Sequence, residues 1–266
     1  VSALDGELAI GDRVSLRADG GAALSAAGAL SAGRGGNISV QALGAGAALA
    51  TGAGLRMSAF ALGTGGSLTL GANRLLVAGS GSAFDVAQRA DPAAGDDPFT
   101  VAGGLFQEGG FANFRLVASG GRSTGSDGSV SEPLTVAAGS TVAPSVSLLS
   151  LDPGFRTASS GTALRDFSSV YLPTPDVRPA ANVAFALTPH NQVTTATQGD
   201  LWLAAGSSVR VEPGATAEFS ASSRIRFDGE VLAPGGKILA TLNNPPGSLE
   251  QGYDPDFGAR PLARVI

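Results

Sequence analysis

Residues 199–242 read GDLWLAAG-SSVRVEPG-ATAEFSAS-SRIRFDG-EVLAPG-GKILATL, six short segments that each carry an apolar pair or triplet. The segments recur every six to eight residues and are separated by Gly, Pro, Ser or Asp. Such short apolar runs, bounded by residues that favour turns, are typical of β-strands. We therefore predict that each segment contributes one strand.

Apolar and polar residues alternate within these segments with a period of two. Because successive side chains of a strand point to opposite faces, one face is predicted to be apolar and the other polar. The residues predicted to point inward are Leu201, Leu203, Val209, Val211, Ala217, Phe219, Ile225 and Phe227. Those predicted to point outward are Ser208, Arg210, Glu218 and Arg226.

Three such strands make a coil of about 22 residues, and coils stacked about 4.8 Å apart bury a continuous apolar face. Glycines at the corners supply the positive φ that the turns between faces need. The N-terminal third repeats the pattern, since GGNISV at 35–40 is echoed by GGSLTL at 65–70. The spacing is too loose for a left-handed hexapeptide helix. We predict an all-β fold, a right-handed parallel β-helix (β-solenoid), with a β-sandwich as the open alternative.

Four regions follow from this pattern along the chain. Coils are predicted at 1–83, an irregular β-helix with protruding loops at 84–198, regular coils at 199–242, and a loop with the start of a further coil at 243–266. The predicted loops in the middle are RADPAAGDDPF (89–99), SEPLTVAAGSTVAPS (131–145) and YLPTPDVRPA (171–180). Solenoids tolerate such insertions because each coil contacts only its neighbours.

Composition and charge restrict the function. Gly and Pro make up 39 and 15 of 266 residues, which is below the share typical of disordered chains. The net charge is −5 with the basic residues scattered, so nucleic acid and anionic membranes are disfavoured. No run approaches the ~18 apolar residues of a membrane helix, so membrane insertion is not expected. Cysteine is absent, which excludes disulfides and thiol chemistry and suits export. With no leader and Val1 at its start, the chain is expected to be a piece of a longer polypeptide.

Acidic residues provide the candidates for a cation site or for catalysis. Asp91, Asp96 and Asp97 lie in one Pro/Gly loop, and whether the loop at 91–98 binds a cation stays open. A second set stands in the irregular middle, where turn formation explains an Asp about as well as catalysis does. This set is Asp152, Asp166 and Asp176. We assign no catalytic, cofactor-binding or metal site to either set.

Three further features have an ordinary structural interpretation. His190, the single histidine, has no second His or Cys for a metal and is expected in an exposed loop. Trp202 is expected to be core or half-buried filler, with carbohydrate stacking as the alternative. The GAGAALATGAG run at 44–54 lacks the Lys and Ser/Thr of a phosphate-binding loop. No cofactor is expected.

Several stretches resemble the filamentous hemagglutinin family of large exoproteins. They are GGFANFRLVASGG (109–121), LTVAAGSTVAP (134–144), VRP (177–179), GDLWLAAGSSVRVEPGA (199–215) and GEVLAPGGKILATL (229–242). The most specific piece, GEVLAPGGKIL, is similar to a G-x-I-x-A-P-G-G-x-I rung that recurs in such exoproteins. The Asn-Pro-rich motifs of the family's secretion domain are represented here only by NPPG at 244–247.

The resemblance implies a shaft segment of a secreted or surface-exposed adhesin. It further implies export through an outer-membrane secretion partner of a Gram-negative bacterium, and roles in adhesion, aggregation or biofilm. A host or neighbouring-cell surface or glycan is the implied partner, and filament formation by self-association stays open. The alternative is a β-helical polysaccharide lyase or glycosidase, which needs carboxylates that converge on adjacent coils.

Overall fold

The computed structural model describes most of the chain. The predicted coil start at 262–266, the loop before it and Asp96 lie outside the described residues. The described ranges are 2–3, 6–82, 84–91, 97–124, 128, 130–157, 159, 162, 164–194 and 197–243.

The protein is all-β, with short strands and brief 3-10 helices. The 3-10 helices span Gly103–Gln107, Pro153–Thr157 and Leu164–Phe167. In the described part of the chain no helix is long and apolar enough to cross a membrane. The strands are β1 Ser2–Ala3, β2 Gly6–Ile10, β3 Ser15–Arg17, β4 Ala22–Leu24, β5 Leu30–Ala32, β6 Asn37–Ala42, β7 Ala47–Thr51, β8 Arg56–Ser58, β9 Gly66–Ala72, β10 Leu75–Val77, β11 Gln88–Ala90, β12 Phe99–Val101, β13 Phe111–Ala118, β14 Ser123–Thr124, β15 Val130–Ser131, β16 Leu134–Val136, β17 Thr141–Val142, β18 Leu148–Leu151, β19 Ser168–Tyr171, β20 Asn182–Leu187, β21 Asp200–Leu203, β22 Ser208–Arg210, β23 Thr216–Ala221, β24 Arg224–Phe227, β25 Glu230–Leu232 and β26 Lys237–Leu242.

The largest sheet contains seven strands that are all paired in parallel. Its order is β1-β6-β9-β13-β20-β23-β26, so the strands follow one another in chain order with other strands between them. Parallel neighbours cannot be joined by a tight hairpin and need a crossover connection. Here the crossovers carry the strands of the other sheets.

A second sheet has the order β12-β10-β16-β21-β24, and a third has β17-β22-β25. At the N-terminal end β2 pairs in parallel with β7, and β3 with β8. Most repeats therefore contribute one strand to the seven-stranded sheet and then strands to the other sheets.

The six strands predicted at 199–242 are confirmed as β21 to β26. Leu201 pairs with Ile225, Val209 with Val231, and Ala217 with Ile238, which lie 24, 22 and 21 residues apart. These separations agree with the predicted repeat of about 22 residues.

The core consists of inward columns that run from strand to strand. One column of the seven-stranded sheet carries Val40, Leu70, Leu116, Phe185 and Phe219, all of them buried. In such a column each apolar side chain packs on the one from the next repeat. The small side chains expected from the composition are present too, as the paired and buried Ala72 and Ala118.

The inward face predicted for the C-terminal segments is largely confirmed. The buried members are Leu201, Leu203, Val209, Val211, Ala217 and Phe219. Ile225 is only partly buried and Phe227 is 42% exposed, because their strand β24 is the last described strand of its sheet. Ser208 was predicted to face water but is buried, and its hydroxyl donates to Thr141 Oγ1 at 3.2 Å.

The doubled glycines of the repeated GGNISV and GGSLTL motifs have a steric cause. The two motifs pair directly, with Ile38 opposite Leu68 and Val40 opposite Leu70. A Cβ on Gly66 would lie 1.9 Å from the carbonyl oxygen of Gly36, so the backbones approach too closely for any side chain. Stacking therefore requires glycine at position 66, and a Cβ on Gly35 or Gly65 would likewise lie 2.1 Å from a carbonyl oxygen.

Part of the middle region is more regular than the sequence indicates. Within the predicted loop 131–145, β16 and β17 pair in register with β21 and β22, which corrects that prediction. Pro133 and Pro144 lie outside the strands, so neither removes a ladder hydrogen bond. The predicted loop 171–180 has no strand after Tyr171, and Arg178 anchors it through Nε to Glu212 Oε1 at 2.6 Å.

Antiparallel hairpins depart from the stack. They pair β4 with β5, β14 with β15, and β18 with β19. The first lies inside 1–83, where only coils are predicted. It forms because a tight turn between Ser25 and Ala29, with Gly28 at φ 77°, reverses the chain.

Candidate functional site

The structure brings the side chains of three predicted candidate residues to one cleft. Asp91, Asp97 and His190 line it together with Arg74 and Arg122, and it encloses about 210 Å³. We call it the corner cleft, since it lies where strands of the seven-stranded sheet turn towards the second sheet. Residues 120–123 supply much of its wall, together with Gln192, Val193 and Thr197.

The floor of the corner cleft is a set of satisfied polar side chains. Asn73 donates through Nδ2 to the carbonyls of Gly44 at 2.8 Å and Ala47 at 3.0 Å. Arg74 is buried and donates to the carbonyls of Gly121 at 2.8 Å and Ser131 at 3.3 Å. Buried polar groups cost free energy unless they are hydrogen-bonded, so these contacts explain how the corner tolerates them. Both side chains therefore bind successive repeats together.

His190 lies at the wall of this cleft and is half-buried. Its Nδ1 accepts a hydrogen bond from the backbone N–H of Gln192 at 3.2 Å. Burial lowers the pKa of His190 below its ordinary value, because the protonated ring is poorly solvated there. At neutral pH the imidazole is neutral, and with Nδ1 accepting, Nε2 carries the proton.

The acidic candidate Asp91 already has a partner. Its carboxylate accepts a hydrogen bond from Arg89 Nη2 at 2.8 Å. Across the described ranges, no group of three or more His, Asp and Glu side chains is arranged to hold a metal ion. Asp96 lies outside those ranges, so the cation question for the loop at 91–98 stays open.

An ion-pair network with buried carboxylates lies beside the corner cleft. The side chain of Asp200 is 4% exposed and that of Glu132 is 8% exposed. Arg122 donates to Glu132 Oε1 at 3.0 Å, and Arg224 donates to Asp200 Oδ2 at 2.8 Å. Glu132 Oε2 also accepts the backbone N–H of Asp200 at 2.7 Å. The network thereby joins three successive segments of the second sheet.

The three aspartates of the irregular middle occupy different local settings. Asp152 Oδ1 accepts the backbone N–H of Gly154 at 2.7 Å, which is an Asx-type turn. Asp166 is exposed in a 3-10 helix that packs near Asp152 at the base of the β18–β19 hairpin. A hydrogen bond from Thr174 lowers the pKa of Asp176, which stabilises its ionised form and is opposite to what a general acid needs.

Trp202 lies on the outward face of β21, between buried Leu201 and Leu203, and is half-buried as predicted. The guanidinium of Arg226 lies 4.7 Å from the centre of its ring, and its Nε1 donates to Asp228 Oδ2 at 2.8 Å. One face of the ring is therefore occupied by a cation from the next repeat.

No family model, curated protein or solved structure matches the chain. The resemblance to filamentous hemagglutinins consequently stays a prediction.

Several residues of these sites do not stand out in the sequence. Arg74, Arg122, Glu132 and Asp200 are separated by up to 126 positions, and only the stacking of repeats brings them together. The sequence does contain a signal for Asp200, because it is a charged residue at the start of a largely apolar strand. A charge buried in such a strand needs a partner of opposite charge.

Proposed function

We propose that the protein is a right-handed parallel β-helix. Three properties support this: successive repeats pair in parallel, partner residues of the C-terminal repeats lie 21 to 24 positions apart, and inward columns are continuous. The right hand follows from the strong preference of parallel strand crossovers in one sheet for that hand. A crystal structure tests it, and left-handed crossovers would overturn it.

We further propose that this β-helix is a shaft segment of a secreted or surface-exposed filamentous adhesin of a Gram-negative bacterium, exported through an outer-membrane partner. The observation that carries the proposal is the seven-stranded parallel sheet, in which each repeat is held by its two neighbours. A solenoid of this kind gains length by adding repeats, which is what a shaft requires.

The side chains between repeats fit a structural role. Asn182 donates to Asn113 Oδ1 at 3.0 Å and accepts the backbone N–H of Thr216 at 2.8 Å, so one amide spans three strands. The ion-pair network around Asp200 likewise links neighbouring repeats beside the corner cleft. The absence of cysteine from the sequence is compatible with export in an unfolded state.

Localisation of the native protein tests this proposal. We expect an antibody against residues 1–266 to label intact cells of the source bacterium or its culture medium, and external protease to remove the cell-bound label. Deletion of the secretion partner should abolish surface labelling while a periplasmic reporter stays intact. Signal confined to the cytosol would contradict the proposal.

A further inference from the structure

A larger cleft lies on the outer side of the β3–β8 pair and encloses about 560 Å³. We call it the third-face cleft. It has the size of small-molecule binding pockets, which are usually about 300–1,000 Å³. Its walls are the outward side chains of β3 and β8, the chain after the 3-10 helix Gly103–Gln107, and the residues Ser82 and Asp85.

The β3–β8 wall carries two arginines on one diagonal and two serines on the other. Ser15 pairs with Arg56, and Arg17 pairs with Ser58, all pointing outward. Arg17 is held by Asp19, to which it donates at 2.8 and 2.7 Å. Arg56 is exposed, and among the described residues it has no ion-pair partner. Its guanidinium is therefore available to a ligand.

The opposite wall supplies acceptors. Glu108 Oε1 accepts the hydroxyl of Ser82 at 2.5 Å, which leaves its second carboxylate oxygen for another donor. Asp85 lines the same wall and forms no hydrogen bond or ion pair with the described residues. Two acceptor groups thus line the same cleft as the two guanidinium groups.

Asp85 is placed by a strained neighbour. Phe84 adopts a φ of 60°, which is uncommon for a residue other than glycine. Its ring is buried against Phe99, with ring centres 6.0 Å apart, and its carbonyl accepts the N–H of Gly54 at 2.8 Å. Strain of this kind persists where the surroundings fix it, often beside a ligand.

The charges of the lining select the class of ligand. Two arginines and two carboxylates line the cleft, and Asp19, which already pairs with Arg17, leaves one excess negative charge there; this is too little to select a polyanion or a polycation. Phe60 and Val170 add apolar surface to the lining. Paired donors and acceptors beside an apolar patch suit a sugar ring, whose hydroxyls both donate and accept and whose C–H face is apolar.

We propose that the third-face cleft binds a neutral, hydroxyl-rich glycan through Arg56 and Asp85. The inference deepens the proposed function, because a shaft with this cleft would contact glycans along its side. Glycan binding does not depend on export, so a negative localisation result and a negative binding result refute different proposals.

Calorimetric titration of the 266-residue chain tests this site. The probes are neutral hexasaccharides of glucose, mannose, xylose and N-acetylglucosamine, with hexagalacturonate and an unstructured peptide as comparisons. We expect at least one neutral hexasaccharide to bind. Arg56→Gln and Asp85→Asn should each weaken it roughly tenfold to a hundredfold, since each removes charge-assisted hydrogen bonds.

Arg115→Gln is the matched control, because Arg115 is also exposed on the outward face of a strand but lies on the seven-stranded sheet. It should leave the affinity unchanged, and unfolding curves should show that all variants are folded. The proposal is overturned if no neutral hexasaccharide binds at millimolar concentration. Equal loss in the control, or preference for the uronate or the peptide, would overturn it as well.

Discussion

Replacement of Phe219 by alanine tests whether the inward columns hold the protein together. Phe219 is fully buried in β23, and its ring stacks on Phe185 with centres 5.4 Å apart and planes at 9°. It also meets Phe227 edge-on at 5.0 Å. A Phe→Ala change in a core costs about 3–5 kcal/mol, because apolar contact is lost and a cavity remains.

For a domain of this size, each kcal/mol lowers Tm by roughly 2–4 °C, so we expect a fall of about 6–20 °C. Urea unfolding followed by the fluorescence of the single tryptophan and by circular dichroism measures the loss. Leu239→Ala is the matched control. Leu239 pairs with Glu218, next to Phe219, but points outward and is 44% exposed.

The control should change the free energy of unfolding by less than about 0.5 kcal/mol. If Phe219→Ala were as harmless as Leu239→Ala, the division into inward and outward faces would be wrong. The double variant with Phe185→Ala should reveal a coupling of about 0.5–1.5 kcal/mol from the stacked rings.

Three further results are expected. Gly66→Ala should lower the urea midpoint strongly, since its Cβ would meet the Gly36 carbonyl at 1.9 Å, whereas Gly63→Ala, which has open space, should not. The single histidine, His190, should titrate by NMR with a pKa below its unfolded value of 6.5, because burial disfavours its charged form. Because the unfolded chain binds the proton more tightly than the folded one, protonation of His190 favours unfolding. The folded state is therefore unaffected above the unfolded pKa and loses stability as pH falls from there through the lower pKa of the folded state. A screen of acidic and neutral polysaccharides should release no unsaturated or reducing ends; turnover abolished by changing an aspartate of the irregular middle would favour the enzymatic alternative.

The strands could be predicted wherever local alternation and repeat length act together. Leu201, Leu203, Val209 and Val211 alternate with polar residues, and their burial follows from that pattern alone. Phe227 shares the pattern but is exposed, since burial also depends on the next strand of the sheet. Alternation in the sequence indicates the face of the strand to which a side chain points, whereas the burial of that side chain depends on neighbouring strands that are distant in sequence.

The candidate site was less accessible to prediction for the same reason. Glu132 and the backbone N–H of Asp200 form their hydrogen bond across 68 positions, and no local motif marks it. The loop prediction for 131–145 is wrong because the apolar alternation of Leu134 and Val136 forms a strand between the prolines. Pro133 precedes β16 and Gly139 forms the turn to β17 at φ 74°, so both residues bound strands without disrupting them.

Distances between spin labels test the stacked parallel repeat most directly, since the chain has no cysteine of its own. Ser39 and Leu239 occupy one outward column, linked strand by strand through five pairings, and Gln41 and Thr241 occupy the next column in the same way. At about 4.8 Å a step, both pairs should lie about 24 Å apart, although each spans 200 residues of sequence. Electron-electron resonance on the two double-cysteine variants should give narrow distributions near that distance. Clearly unequal distances, or broad distributions centred well beyond it, would contradict the parallel stack.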